Sequence, residues 1–305
     1  MLMFLLRRSV LAVLVALSVS IITFALLHFT IDPAFAMAGE DATDADVQAL
    51  REAMGFDRPV HVQYLGWLGN VLTGDFGVSP YFGLPVSDLI VERLPITLTL
   101  GALATVFAVG LGVPLGVISA IWPNTLIDRL SLSLAVFGQA IPNFWFSLVL
   151  IIFLAVQFPI FPVSGAESLG SYVLPTIVLG TNAIPPIMRL TRTGMLDVLS
   201  SDYIRTAWAK GVRPQQVFFK HALRNAIVPV VAVAAIQAAN MFGGSIVVEA
   251  VFALHGIGML AYESILRSDI PTMQAVILIF SMFFIAFSAL SDILNAWLDP
   301  RMRVA

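Results

Sequence analysis

The sequence contains no cysteine, which excludes a disulfide framework, a thiolate nucleophile and a cysteine-ligated metal site. Charge is also scarce: 11% of the 305 residues are charged, against roughly 25% in soluble domains. The four histidines, at 28, 61, 221 and 255, lie far apart and form no HExxH motif, so a zinc hydrolase has no support. The net charge of -3 gives no indication of nucleic-acid binding.

Apolar residues dominate instead, at 59% of the chain, and the mean hydropathy is +0.93. A helix needs about 20 apolar residues to cross the core of a bilayer. Six stretches satisfy this requirement, and the sequence therefore predicts an all-α membrane protein of about six transmembrane helices. The predicted spans are 9–31, 96–121, a stretch within 130–158, 172–188, 226–248, and 272–291 with an extension toward 297.

The positions of the cationic residues predict the orientation of these helices. With the N-terminus in the cytoplasm, twelve of the 16 Lys and Arg residues fall in cytoplasmic segments. Cytoplasmic segments of membrane proteins are enriched in Lys and Arg, so both termini are predicted to be cytoplasmic. The resulting domains are an N-terminal transmembrane helix at 1–31, an extracytoplasmic segment at 32–94, a transmembrane core at 95–298 and a cytoplasmic tail at 299–305.

The first span has a second interpretation. Arg7 and Arg8, the apolar run and the triplet Ala-Phe-Ala at 34–36 together resemble a secretory signal peptide with its cleavage site. The apolar run is longer than about 20 residues, whereas the apolar region of a signal peptide has about 7–15. The length favours a retained helix, and cleavage is the alternative.

The segment 32–94 is too long for a simple turn between spans. It carries ten acidic residues, and a short acidic helix is predicted to begin at a cap formed by Thr43 or Asp44. Gly-Asp-Phe-Gly at 74–77 predicts a turn, and Pro95 is predicted to open the second span. The segment either orders the outer mouth of the protein or binds an external partner, and the sequence leaves both open.

Polar side chains inside the predicted spans are few. The amides among them are Gln139, Asn143, Asn182, Gln237 and Asn240. Gln139 and Asn143 are four residues apart and are predicted to share a helix face. Buried amides in a membrane face either a neighbouring helix or a water-filled path, and both roles are open for these five. Pro142, Pro185 and Pro186 lie beside them and predict bends in their helices.

The most informative segment, 189–224, is cytoplasmic in this orientation. Ser201 or Asp202 is predicted to cap a short helix that ends near Lys210, and Gly211 is a typical residue just beyond a helix C-terminus. A second helix then leads into the fifth span. Four side chains of the short helix are predicted to share one face: Tyr203, Thr206, Ala207 and Lys210. The pattern indicates a rigid element on which a cytoplasmic partner could push.

This segment resembles the coupling-helix signature of bacterial ABC importer permeases, whose pattern is Glu-Ala-Ala, three residues, Gly, nine residues and Ile-x-Leu-Pro. Ala207, Gly211 and Leu223 match the pattern at the right spacing. The remaining pattern positions depart from it in the form used by the dipeptide, oligopeptide and nickel branch; they are Arg205, Thr206, His221 and Arg224. Further stretches resemble the first permease subunit of that branch, namely 74–77, 85–86, 93–98, 248–252, 267–271 and 299–301, while His255-Gly256 replaces the usual Pro-Gly.

The resemblance implies an ABC importer type I transmembrane fold, with a coupling helix at about 202–210 between the fourth and fifth spans. It implies a non-catalytic permease subunit of the bacterial cytoplasmic (inner) membrane, surrounded by lipid and forming half of a path for short peptides or related small solutes. The implied partners are a homologous second permease, two cytoplasmic ATPase subunits and an extracytoplasmic solute-binding protein. The implied ATPase contacts are Asp202, Tyr203, Arg205, Thr206, Ala207, Lys210 and Gly211.

The sequence itself contains no GxxxxGK[ST] motif, so ATP and magnesium are expected in partner subunits and no cofactor in this chain. Two other functions are open. A secondary transporter or channel driven by an ion gradient would place ionisable residues near the middle of the membrane, and Asp292, near one end, is the only carboxylate in a predicted span. An intramembrane enzyme would need a Ser–His pair, an Asp pair or a metal motif, and none is evident within the spans.

Overall fold

The computed structural model describes residues 2–30, 32–38 and 42–298, and these form helices joined mostly by short connections. In chain order the helices are α1 Leu2–Thr30, α2 Pro33–Ala38, α3 Asp44–Met54, α4 Val60–Leu72, α5 Val86–Ile121, α6 Leu126–Ala140, α7 Asn143–Leu150, α8 Val173–Thr181, α9 Ile184–Leu199, α10 Asp202–Ala209, α11 Leu223–Ala226, α12 Val228–Phe252, α13 Ile257–Leu266 and α14 Ile270–Leu298. Three short helical segments extend them: Ile151–Gln157 after α7, Leu169–Tyr172 before α8 and Gln216–Ala222 before α11.

The described helices account for up to six membrane crossings. Four helices, α1, α5, α12 and α14, are each long and apolar enough to cross a bilayer. Two further crossings consist of bent pairs: α6 with α7 and its extension, at an angle of 102°, and α8 with α9, at 56°. The prediction of an all-α protein with about six spans is confirmed. The predicted cytoplasmic tail at 299–305 lies outside the described residues.

Both bends lie at the prolines that the sequence singled out. A proline disfavours the helical conformation of the residue before it, and Ile141 before Pro142 is extended, with φ of -81° and ψ of 127°. Helix α6 therefore ends at Ala140, and α7 begins at Asn143 in a new direction. The prediction that Gln139 and Asn143 share a helix face is wrong, because the 102° bend lies between them.

The second span begins earlier than predicted. Pro85 is the N-cap residue of α5, so Pro95 lies inside the helix, and the prediction that it opens the span is wrong. An internal proline costs about 3 kcal/mol. Val86, Leu89 and Ile90 are buried against α13 and α14, and each such side chain contributes roughly 1.5–3 kcal/mol, so their burial outweighs the cost of the proline.

Two buried carboxylates lie in the spanning helices, which corrects the prediction that Asp292 is the only carboxylate there. Helix α12 continues beyond its predicted end at Val248 and includes Glu249, which is fully buried. Helix α6 starts before its predicted range and includes the buried Asp128. Hydropathy marks the middle of a helix, whereas its ends are set by capping groups such as the Thr125 hydroxyl, which accepts from the Asp128 amide.

Helices α5 and α9 pack with their backbones in close contact. A Cβ on Gly116 would lie 2.6 Å from the carbonyl oxygen of Met188, and one on Gly112 would lie 2.8 Å from Cγ2 of Ile187. Small residues let membrane helices approach in this way. Together with α8 and α12, this pair forms the largest apolar core of the described residues.

The segment between α1 and α5 packs onto the end of α14. Helix α3 has the predicted cap, since Thr43 forms a capping box with the third residue of the helix. The predicted turn at 74–77 leads into a tight loop closed by a backbone bridge across 78–85. Within this loop the Ser79 hydroxyl donates a hydrogen bond to the carboxylate of Asp269, the residue that precedes α14. The loop is therefore fixed to the membrane helices.

Replacing Gly116 by alanine is expected to destabilise the protein, whereas the same change at Gly110 is not. At Gly116 the new methyl group would collide with the backbone of α9, and overpacking of this kind costs about 1–3 kcal/mol. Gly110 lies in the same helix beside open space, so alanine there gains helix propensity, about 1 kcal/mol. Thermal unfolding of the detergent-solubilised protein measures both effects. Equal unfolding temperatures for the two variants would contradict the close α5–α9 contact.

Candidate coupling helix and translocation path

The short helix predicted between the fourth and fifth spans is present as α10. Ser201 occupies its N-cap position, but the hydroxyl donates to the carbonyl oxygen of Val198 and does not cap the helix. Lys210 lies one residue beyond the helix, at the C-cap. Gly211 follows in the left-handed conformation, with φ of 73°, as expected for a residue beyond a helix C-terminus. The predicted bounds of this helix are confirmed to within a residue.

Ile204 attaches α10 to the membrane helices. Its side chain is fully buried in an apolar cluster contributed by α5, α9 and the two short helical segments before α12. We call this cluster the socket; its other buried members are Val117, Ala120, Met195, Val217, Ala222 and Ala226. Burying an isoleucine contributes roughly 1.5–3 kcal/mol, so the socket fixes the position of α10.

The opposite side of α10 is open to solvent. Ala207 lies at its edge, half-buried against the socket, whereas the other residues with an implied ATPase contact are exposed: Asp202, Tyr203, Arg205, Thr206, Lys210 and Gly211. Arg205 and Asp202 form an exposed ion pair at 3.3 Å, which contributes little to stability. Trp208, which the sequence analysis did not single out, is also exposed and packs edge-on against Phe218.

Tyr203 fixes the rotation of α10 against the chain that leads into α12. Its hydroxyl accepts a hydrogen bond of 2.7 Å from Nδ2 of Asn225 and donates one of 3.4 Å to the carbonyl oxygen of His221. Asn225 donates to the same carbonyl oxygen at 3.2 Å. His221 therefore takes part in the elbow before α12 through its backbone.

Four of the five predicted path residues come together in the membrane core. Nδ2 of Asn182 donates to Oδ1 of Asn143 at 2.5 Å, and Nδ2 of Asn240 donates to Oε1 of Gln237 at 3.2 Å. All four line one cavity of about 80 Å³ between α7, α8 and α12, enough for a few water molecules. We call them the amide cluster. Gln139 does not line this cavity and is exposed at the end of α6.

The buried Glu249 holds the N-terminus of α13. Its carboxylate accepts hydrogen bonds from the Thr97 hydroxyl at 2.9 Å and from the backbone N–H of Met259 at 3.0 Å. A Cβ on Gly256 would lie 2.4 Å from this carboxylate, so the turn before α13 requires glycine there. His255, which replaces the usual proline, is exposed beside it. The carboxylate is thus hydrogen-bonded to α5 and α13 within the protein.

Comparison with known proteins places this architecture in one family. Residues 112–304 match the family described as "Binding-protein-dependent transport system inner membrane component", and residues 1–101 match the N-terminal region of the same kind of membrane component.

The chain belongs to this family.

It is a permease subunit of a binding-protein-dependent ABC importer, as the resemblance implied. The permease is 38% identical to the oligopeptide transport system permease protein AppB of Bacillus subtilis (strain 168), over 98% of this chain and 99% of AppB. It is 40% identical to the glutathione transport system permease protein GsiC of Escherichia coli (strain K12), over 93% of this chain and 94% of GsiC.

Solved structures share the fold of the permease. A chain of the MetNI methionine ABC transporter in an inward-facing conformation matches with a TM-score of 0.56 and 22% identity, over 69% of this chain and 96% of that chain. A chain of an amino acid ABC transporter crystallised with histidines matches with a TM-score of 0.54 and 16% identity, over 69% of this chain and 94% of that chain. The predicted type I importer fold is confirmed.

Replacing Ile204 by alanine is expected to loosen α10, because the cavity left in the socket costs about 2–5 kcal/mol. Thr206 is the matched control: its side chain is exposed and its hydroxyl bonds only within α10 in the described structure, so Thr206→Ala is expected to change stability by less than about 0.5 kcal/mol. Hydrogen exchange of the α10 amides in the purified permease measures both. Equal protection of these amides in the two variants would show that the socket does not hold α10.

Proposed function

We propose that α10 and Gly211 form the contact through which an ATPase subunit drives the permease. The observation that carries the proposal is the arrangement of α10, which is buried on one side at Ile204 and open on the other at Tyr203 and Arg205. Short connections join α10 to α9 and to the segment before α12. A displacement of α10 therefore reaches α9 directly and α12 through the segment that precedes it.

ATP and magnesium are bound by two cytoplasmic ATPase subunits. One ATPase subunit contacts this α10, and the other contacts the corresponding helix of a homologous second permease. The absence of a GxxxxGK[ST] motif from the sequence supports this division of labour, because the chain lacks the loop that would hold the phosphates. The permease itself is then not an enzyme, and its contribution is mechanical.

Both termini lie in the cytoplasm, together with α10. The excess of Lys and Arg in those segments supports this orientation. An ion pair of 2.5 Å between Arg8 and Asp292 joins the beginning of α1 to the end of α14, which is consistent with two termini on one side of the membrane. Helices α2, α3, α4 and α13 then lie outside, where a solute-binding protein delivers its cargo.

The amide cluster lies on the path of the solute, and the second permease supplies the facing half. Amide side chains both donate and accept hydrogen bonds, so they can bind the backbone of a peptide without selecting for charged or neutral side chains. The names of two relatives, an oligopeptide permease and a glutathione permease, support short peptides as the cargo. Binding of the cargo to the external protein precedes its entry into this path.

Gly211→Asn is expected to reduce transport strongly without unfolding the permease. Asparagine tolerates the left-handed conformation, and a Cβ at Gly211 meets nothing within 4 Å in this chain, so the new side chain can collide only with a partner. In proteoliposomes that contain the permease with its partner subunits, uptake of trialanine and glutathione should fall about tenfold or more, as for the loss of a central interface contact.

Gly165→Asn is the control for this experiment, because Gly165 has φ of 88° and is equally open but lies between α7 and α8. It is expected to leave uptake unchanged. Co-purification of the ATPase subunits should weaken in Gly211→Asn alone. Normal uptake and normal ATPase association in that variant would contradict the proposed contact.

A further inference from the structure

An ion pair between the buried Asp128 and the partly buried Arg192 joins α6 to α9 near the socket. Arg192 donates to both carboxylate oxygens of Asp128, from Nε at 2.9 Å and from Nη2 at 2.7 Å. The Ser119 hydroxyl donates to the same carboxylate, and so does the backbone N–H of Asn124 at 2.9 Å. The Asp128 side chain is only 3% exposed. The carboxylate is therefore held by the end of α5, by the turn that follows it and by α9.

Stability gives no sufficient reason for an ion pair at this place. Taking two charges out of water is costly, and well-packed apolar residues in their stead are often neutral or stabilising. What a bidentate pair adds is geometry, because the planar guanidinium and the carboxylate fix both a distance and an angle. Helix α6 is thereby prevented from sliding or turning against α9.

One end of this pair of helices is coupled to α10. Met195 follows Arg192 by about one turn of α9 and is a buried member of the socket that receives Ile204 of α10. Ser119, which binds Asp128, is flanked by the socket residues of α5. A displacement of α10 therefore acts directly on the part of α9 that holds the ion pair.

The opposite end of the same two helices meets at the amide cluster. Helix α6 ends before Asn143, and α9 begins just after Asn182. A Cβ on Gly138 would lie 2.5 Å from Cγ2 of Thr181, so the end of α6 packs closely against the end of α8. The hydrogen bond between Asn143 and Asn182 closes this contact. Helices α6 and α9 are thus linked at one end by the ion pair and at the other by the hydrogen bond between Asn143 and Asn182.

We propose that Asp128 and Arg192 are a positioning pair that makes α6 and α9 move as one body when α10 is displaced, so that both sides of the amide cluster shift together. The inference rests on the proposed function, since it assumes that an ATPase acts on α10. Without the pair, α9 follows α10 while α6 does not, and Asn182 separates from Asn143. ATP hydrolysis then continues, but solute no longer crosses in step with it.

The test uses the permease with its partner subunits in proteoliposomes. The double variant Asp128→Leu, Arg192→Met removes the pair without leaving a buried charge. Arg192→Lys keeps the charge but loses the bidentate geometry, and it replaces the double variant if that one does not assemble. Asp292→Asn is the matched control, because its ion pair joins α1 to α14 instead. Uptake of trialanine and glutathione and the hydrolysis of ATP are measured on the same preparations.

We expect the solute taken up per ATP to fall about tenfold in the double variant and by less in Arg192→Lys, with Asp292→Asn unchanged. A merely structural role would lower uptake and hydrolysis together and leave this ratio unchanged. Equal ratios in all three variants would overturn the inference. Failure of the unaltered permease to bind any ATPase would instead refute the proposed function, so the two failures are distinguishable.

Spin labels measure the predicted movement directly. They can be attached to introduced cysteines alone, because the chain has no cysteine of its own. Leu134→Cys on α6 and Thr193→Cys on α9 are both exposed positions for labelling. Their separation is expected to stay constant between the nucleotide-free and ATP-bound importer when the ion pair is intact, and to change with nucleotide in the double variant. A constant separation in the double variant would also overturn the inference.

Discussion

The position of α10 depends on one buried side chain, because a helix of eight residues is too short to be stable by itself. Ile204 supplies that attachment, and the socket that receives it is built from separate stretches of the chain. The hydrogen bonds of Tyr203 add a fixed rotation. A loop held in this way transmits force, whereas a solvated connection between two spans would absorb it.

A second constraint acts inside the membrane, where each backbone polar group needs a partner within the protein. Breaks in a spanning helix are therefore confined to places where neighbouring polar groups can compensate. The break at Pro142 and the break before Pro185 both have an asparagine at their edge, and these two asparagines bond to each other. The bends and the polar lining of the proposed path therefore lie at the same place in the fold.

Features that depend on a few neighbouring residues could be predicted from the sequence. The end of α10 before Gly211 follows from local turn preferences, and the two bends follow from proline. Helical spacing alone groups Gln139 with Asn143, although the proline between them interrupts that spacing. The start of α5 was misplaced because the burial of Val86 against α13 overrides the preference of proline for a helix start.

Features that depend on distant residues could not be predicted. Asp128 and Arg192 are 64 positions apart, and Thr97 and Glu249 are 152 apart, so no local pattern pairs them. The only sequence signal for Asp128 is its place three residues after Thr125, which is typical of a capped helix start. That signal places a helix end and does not reveal the partner on α9.

A photo-crosslinking amino acid introduced at position 205, on the exposed side of α10, tests most directly whether an ATPase contacts this helix in the assembled importer. We expect a crosslink to a subunit that mass spectrometry identifies as a P-loop ATPase, and only crosslinks within the chain when the same amino acid is introduced at the buried position 204. An importer that still transports but shows no ATPase crosslink at 205, or a crosslink there to the external binding protein, would contradict it.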